Sequence, residues 1–180
     1  MESLLNKNDQ ISQFEQTVLP HLDAAHNLAR WLTRNDHDAE DLVQMAFVRA
    51  VRFFDTYQGG NARAWLLTIV RNTFYSSLRA DPQDEQVFDE DLHSPLSDWS
   101  GPEQNQNRAD TSRIVNQALE HLPTSFREVL ILKEMEEMSY REIADMAGIP
   151  IGTVMSRLAR ARKLLLTYLS SAGSGEFNEM

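Results

Sequence analysis

Arg157, Arg160, Arg162 and Lys163 fall within seven consecutive residues that hold no carboxylate, in a chain of 180 residues with a formal net charge of −10. Cations gathered against the overall charge need a local anion. A nucleic-acid backbone fits, since each cation that meets a phosphate releases condensed counterions. A second group lies between Asp55 and Asp81, where no acidic residue occurs: Arg63, Arg71 and Arg79, interleaved with Tyr57, Trp65, Phe74 and Tyr75. Cations that track phosphates beside rings that stack on unpaired bases suit a single strand, although Trp65, Leu66, Ile69, Val70 and Phe74 also have the spacing of a buried face. Asp36, Asp38, Glu40 and Asp41 could be read as metal ligands, but helix capping and surface solvation account for them. His21, His26, His37, His93 and His121 are scattered, and there is no cysteine, HExxH, Walker loop or GxSxG. No catalytic constellation emerges, so the expectation is a protein that is not an enzyme and needs no metal or cofactor.

The elements that must position the first cluster are two helices and a tight turn, SYREIADMAGIPIGTVMSRLARARK. Ser139 with Glu142 forms a capping box. Ile143, Ala144 and Ala147 give an apolar face, Gly148 is a natural helix end, and Pro150 resists continuation. Gly152 or Thr153 starts the second helix, whose stripe is Val154, Leu158, Ala161 and Leu165. This is the pattern of a helix-turn-helix, whose second helix enters the major groove, with Thr153, Met155, Ser156, Arg157 and Arg160 toward DNA. An ordinary helical hairpin with a solvated basic face fits the same spacing.

The N-terminal half reads as helical throughout. Phe14, Val18, Leu22, Ala25, Leu28, Ala29 and Leu32 predict a first helix from about Ile11 to Thr33, with Pro20 inside it as a break or kink. Asp36 or Asp38 caps the next helix, whose stripe is Ala39, Leu42, Val43, Ala46, Ala50 and Phe53. Its other face carries Asp41, Gln44 and Phe47, which suits either a protein contact or a second core face. Thr56–Ala62 is a loop with paired glycines, followed by a third helix, ARAWLLTIVRNTFYSSLRA.

Residues 81–110 hold nine acidic side chains and one basic one, a net of −8 out of −10, along with Pro82, Pro95, Gly101 and Pro102 and no sustained period. They read as an acidic flexible linker between two small helical domains. The expected division is 1–82, linker 83–110, 111–171 and a disordered tail 172–180, in an all-α chain. No signal peptide and no apolar run of membrane-spanning length occurs, so the expected location is cytoplasmic, without membrane insertion.

DAEDLVQMAFVRAVRFF followed by AWLLTIVRN resembles region 2 of bacterial sigma factors, and LPTSFREVLILKEMEEMSYREIADMAGIPIGTVMSRLARARKLL resembles region 4. Their order, the acidic spacer and the lack of a region 3 are those of the extracytoplasmic-function (ECF) group. The resemblance implies a factor that lends promoter specificity to core RNA polymerase, touching its beta-prime clamp and beta flap, and that is often held by an anti-sigma factor, which can keep it near a membrane. It places Asp41, Gln44, Phe47 and Val48 on the polymerase. It places Tyr57, Asn61, Arg63, Trp65, Arg71, Asn72 and Arg79 on melted −10 DNA, with Asn61 reading a flipped base. Thr153, Met155, Ser156, Arg157, Ala159, Arg160 and Arg162 fall to the −35 duplex. Met155 departs from the group, which often has lysine or arginine there. A sigma-like mimic that only sequesters an anti-sigma factor is the alternative; such mimics usually carry a fused receiver domain and lose basic DNA-reading residues, and this chain does neither.

Overall fold

Pro20 decides the first third of the chain. Its ring fixes φ and removes a donor, so the single helix expected over 11–33 is two: α1 (Glu2–Val18) and α2 (Leu22–Thr33), joined by a 3-10 turn at Leu19–His21. The computed structural model describes residues 2–80 and 108–173, with side chains from 7 to 80 and from 111 to 172. Phe14, Val18, Ala25, Leu28, Ala29 and Leu32 are buried as the spacing predicts, but Leu22 is 37% exposed, because the turn resets the helical phase.

Asn35, not Asp36 or Asp38, caps α3 (Asp36–Phe53). Its side-chain oxygen accepts from the His37 and Asp38 amides at 2.8 and 3.1 Å, and Asp36 and Asp38 lie in the first turn, where carboxylates oppose the helix dipole. Ala39, Leu42, Val43, Ala46 and Ala50 are buried, and the small alanines among them let α3 approach α2 and α4 (Ala62–Ala80) closely. Phe53 is 48% exposed, and Phe54, one residue on in a 3-10 turn, takes the inward place. In α4, Leu66, Leu67, Val70, Thr73 and Phe74 face inward, while Trp65 and Ile69 are half-buried.

The chain divides into two compact units, Met1–Asp84 and Glu85–Met180. The second contains α5 (Arg108–His121), α6 (Thr124–Glu134), α7 (Tyr140–Ala147) and α8 (Ile151–Gly173). Among the described residues every regular element is helical. Helix α5 begins at Arg108, inside the expected linker, and α8 continues two residues into the expected tail; the remainder of 83–110 and of 172–180 lies outside the described residues. Residues Phe126 to Leu132 of α6 are buried on all sides, and α8 packs against α5, α6 and α7. Arg127, 1% exposed, turns its guanidinium to the end of α5, donating to the Glu120 and Leu122 carbonyls at 3.1 and 2.9 Å. Met146 rather than Ala147 completes the inner face of α7. In α8, Leu165 is only half-buried, and the stripe Val154, Leu158 and Ala161 is completed by Tyr168.

Glu137, between α6 and α7, has φ of 53° and an exposed side chain. A side chain in left-handed backbone costs roughly 1–2 kcal/mol, and glycine's extra unfolded freedom returns about half of that. Glu137→Gly should therefore raise stability by about 0.5–1 kcal/mol, read as a thermal midpoint a few degrees higher.

Candidate nucleic-acid and protein interfaces

The turn between α7 and α8 is built as its residue types require. The Ser139 hydroxyl accepts from the Glu142 amide at 3.2 Å and the Glu142 carboxylate accepts from the Ser139 amide at 2.8 Å. Gly148 ends α7 with φ of 66°. The α8 helix starts earlier than expected, at Ile151, with the Pro150 carbonyl accepting from the Thr153 and Val154 amides at 3.0 and 3.2 Å; Thr153 lies inside the first turn.

With Val154, Leu158 and Ala161 turned inward, the outer face of α8 presents Ile151, Gly152, Met155, Ser156, Ala159, Arg160, Arg162 and Lys163. Thr153 and Arg157 are half-buried, and the Nε of Arg157 is fully buried. The Ser156 hydroxyl donates to the Thr153 carbonyl at 3.0 Å. Arg162 is tied to Glu134 of α6 at 2.5 Å, and that hydrogen bond favours its charged form further. Of the residues expected to face DNA, Met155, Ser156, Ala159 and Arg160 therefore share one open face, joined by Ile151 and Lys163. Sequence spacing did not single out Ile151, because it sits next to the turn at Gly148–Pro150 rather than in the basic run.

On α3, Asp41, Gln44 and Val48 are exposed, Val48 at 62%. Phe47 is half-buried instead of exposed: its ring meets Phe14 of α1 edge-on at 5.3 Å. Phe47 and Val51 line a groove of about 390 Å³ with Ile11, Phe14 and Leu19. Met45 and Val51 are exposed as well, so the α3 surface is more apolar than its polar residues suggested.

Aromatic rings anchor the loop before α4. Tyr57 stacks on Phe54 at 5.8 Å and leans on Trp65 at 5.3 Å, and its hydroxyl donates to the Gly60 carbonyl at 2.8 Å. Gly59 and Gly60 have φ of 86° and 91°, which only glycine adopts without strain. The Asn61 side-chain oxygen accepts from the Ala64 amide at 3.0 Å, capping α4. At 100° per residue, Trp65, Asn72 and Arg79 recur on one line of α4, and Arg63 lies about half a turn away. Asn72 and Arg79 are exposed, while Arg71 is half-buried with its guanidinium 4.5 Å over the Tyr75 ring. Among the described residues no helix is long and apolar enough to cross a membrane, and no cluster of three or more His, Cys, Asp or Glu could hold a metal ion.

Residues 17–81 match the family described as Sigma-70 region 2, and residues 112–165 match that described as Sigma-70, region 4. The ECF RNA polymerase sigma factor SigE of Mycolicibacterium smegmatis is 34% identical over 162 residues, covering 89% of this chain and 63% of that protein. The ECF RNA polymerase sigma-E factor of Haemophilus influenzae is 33% identical over 147 residues, 77% of each chain. Among solved structures, the sigma factor RpoE in complex with the anti-sigma factor NepR from Bartonella quintana superposes with a TM-score of 0.69 at 32% identity, over 88% of this chain and 97% of that one. With region 2 and region 4 matched in order and relatives aligned along most of its length, the chain belongs to the ECF sigma factors of RNA polymerase.

Proposed function

We propose that this chain docks on core RNA polymerase through the outer face of α3, holds the melted −10 strand on the Tyr57–Asn61 loop and α4, and lays the outer face of α8 on the −35 duplex. Promoter-specific initiation follows from those three contacts, and the chain itself catalyses nothing. The observation that carries the reading is the α8 face: a helix held by a capped turn, buried along one stripe, and open along the other where Met155, Ser156, Ala159, Arg160 and Lys163 stand together. The exposed Asp41, Gln44 and Val48, with the neighbouring Met45, support the polymerase face, since a surface with several large apolar side chains marks a protein contact. Control by an anti-sigma factor in the cytoplasm, free or held near the membrane, is part of the proposal; the RpoE relative was solved with such a partner.

The test is run-off transcription across a genomic library with reconstituted holoenzyme. Promoters sharing spaced −35 and −10 elements are the expected product, and a complete lack of specific transcripts, with anti-sigma binding retained, would convert the chain into a mimic. Within the same assay Val48→Asp should weaken core binding by about tenfold or more, because a carboxylate would be buried in an apolar contact. Its thermal midpoint should stay put, since Val48 is on the surface of the free chain; unchanged core affinity would move the docking site off α3.

A further inference from the structure

Ile151, Met155 and Ala159 stand four residues apart, so they form one line along the outer face of α8. All three are apolar and solvent-exposed, Ile151 at 36% and Met155 at 47%. Beside them Gly152 leaves open space, with no atom beyond its chain neighbours and its own helix backbone within 4 Å of where a Cβ would stand. The first exposed cation on α8 is Arg160, and Arg157, nearer the start, is half-buried with its Nε inside. A helix that reads guanine does so most often with a forked cation aimed at O6 and N7. Apart from the half-buried Arg157, the leading turns of α8 from Ile151 to Ala159 carry no cation. They offer methyl and thioether groups, whose partner in the major groove is the C5-methyl of thymine.

We propose that Met155 is a specificity-determining residue that reads thymine methyls in the −35 element, with Ile151 and Ala159 extending the same apolar line. The inference rests on the DNA-facing reading of α8 and adds the base it selects. From Ile151 to Ala159 the line is about 12 Å long at 1.5 Å per residue, or three to four base steps at 3.4 Å. The preferred element should therefore carry thymines within a stretch of that length. Arg160 and Lys163, next to this line, supply phosphate attraction, which keeps the strip on DNA despite its lack of charge.

Deoxyuridine in place of thymine removes only the methyl group, so it isolates the contact. Holoenzyme containing the full chain is titrated with its selected promoter duplex, each −35 thymine replaced singly. Wild type should bind about fourfold more weakly at one to three positions, the loss expected for one buried methyl-sized group. Met155→Ala should lose a similar factor on the thymine duplex and cease to distinguish thymine from uracil at one of those positions, while Met155→Leu keeps the distinction. Equal binding of every uracil duplex with promoter selectivity intact overturns the inference and leaves the proposed function standing, as does a Met155→Ala variant that stays sensitive to the methyl. Core affinity lost in Met155→Ala overturns it in favour of a protein contact. Absence of any promoter selectivity overturns the functional reading as well.

Discussion

Arg127→Ala should destabilise the second unit by about 3 kcal/mol, lowering its thermal midpoint by roughly 15 °C. The side chain is 1% exposed, and its guanidinium donates to the Glu120 and Leu122 carbonyls and, at 3.4 Å, to the Thr124 hydroxyl. Truncation leaves acceptors at the buried end of α5 without their donor and removes a cation from a helix C-terminus, where it is favoured. A carbonyl stripped of its partner in the interior costs more than the bond contributes net, which sets the size of the effect. Calorimetry on the full chain reads it, and a midpoint within two or three degrees of wild type would mean that water replaces the guanidinium. Arg127→Lys should recover only part of the loss, because one ammonium cannot reproduce the fork that reaches two carbonyls and a hydroxyl.

The second large effect is on DNA. Arg160→Ala should weaken the holoenzyme–promoter complex by about tenfold to a hundredfold, the range expected when one cation is removed from a nucleic-acid interface. Arg160 is exposed on the same face as Met155 and Ser156, so the folded chain should keep its stability to within about 0.5 kcal/mol. The salt dependence separates two roles. A slope reduced by about one, with uniform weakening across sequences, identifies a phosphate contact; relaxed preference at one base pair identifies base readout. Full affinity in the variant would take Arg160 out of the interface. Arg157, by contrast, is half-buried, and its alanine variant should lose stability together with binding.

The sequence made the helical class, the α7–turn–α8 pair and most of the core legible, because caps, a stopping glycine and a regular period all act locally. Ser139, Glu142 and Gly148 do in space what their spacing announced. Most misplacements occur where a local rule was extended across a break or to a helix end: Leu22 beyond Pro20, Phe53 beside the 3-10 turn, Ala147 at the last position of α7. The others depend on residues distant along the chain. Phe47 is half-covered because Phe14 comes to it from α1, and Arg162 meets Glu134 from 28 residues away. No periodicity within α3 or α8 contains either partner. Arg127 was illegible for a related reason: a cation reads as surface until the buried carbonyls it serves are known.

The bond from the Tyr57 hydroxyl to the Gly60 carbonyl fixes how the proposed −10 reader can diversify. It closes a ring of four residues whose span is set by the two left-handed glycines and by the stack on Phe54. An inserted residue there would open the ring, and a side chain at Gly59 or Gly60 would strain it. Descendants or designed variants with altered −10 preference should therefore keep the loop's length and its glycines. They should change instead the rim side chain at Gln58, with Asn61 limited to residues that still cap α4, so that new promoters are reached by substitution and seldom by insertion or deletion.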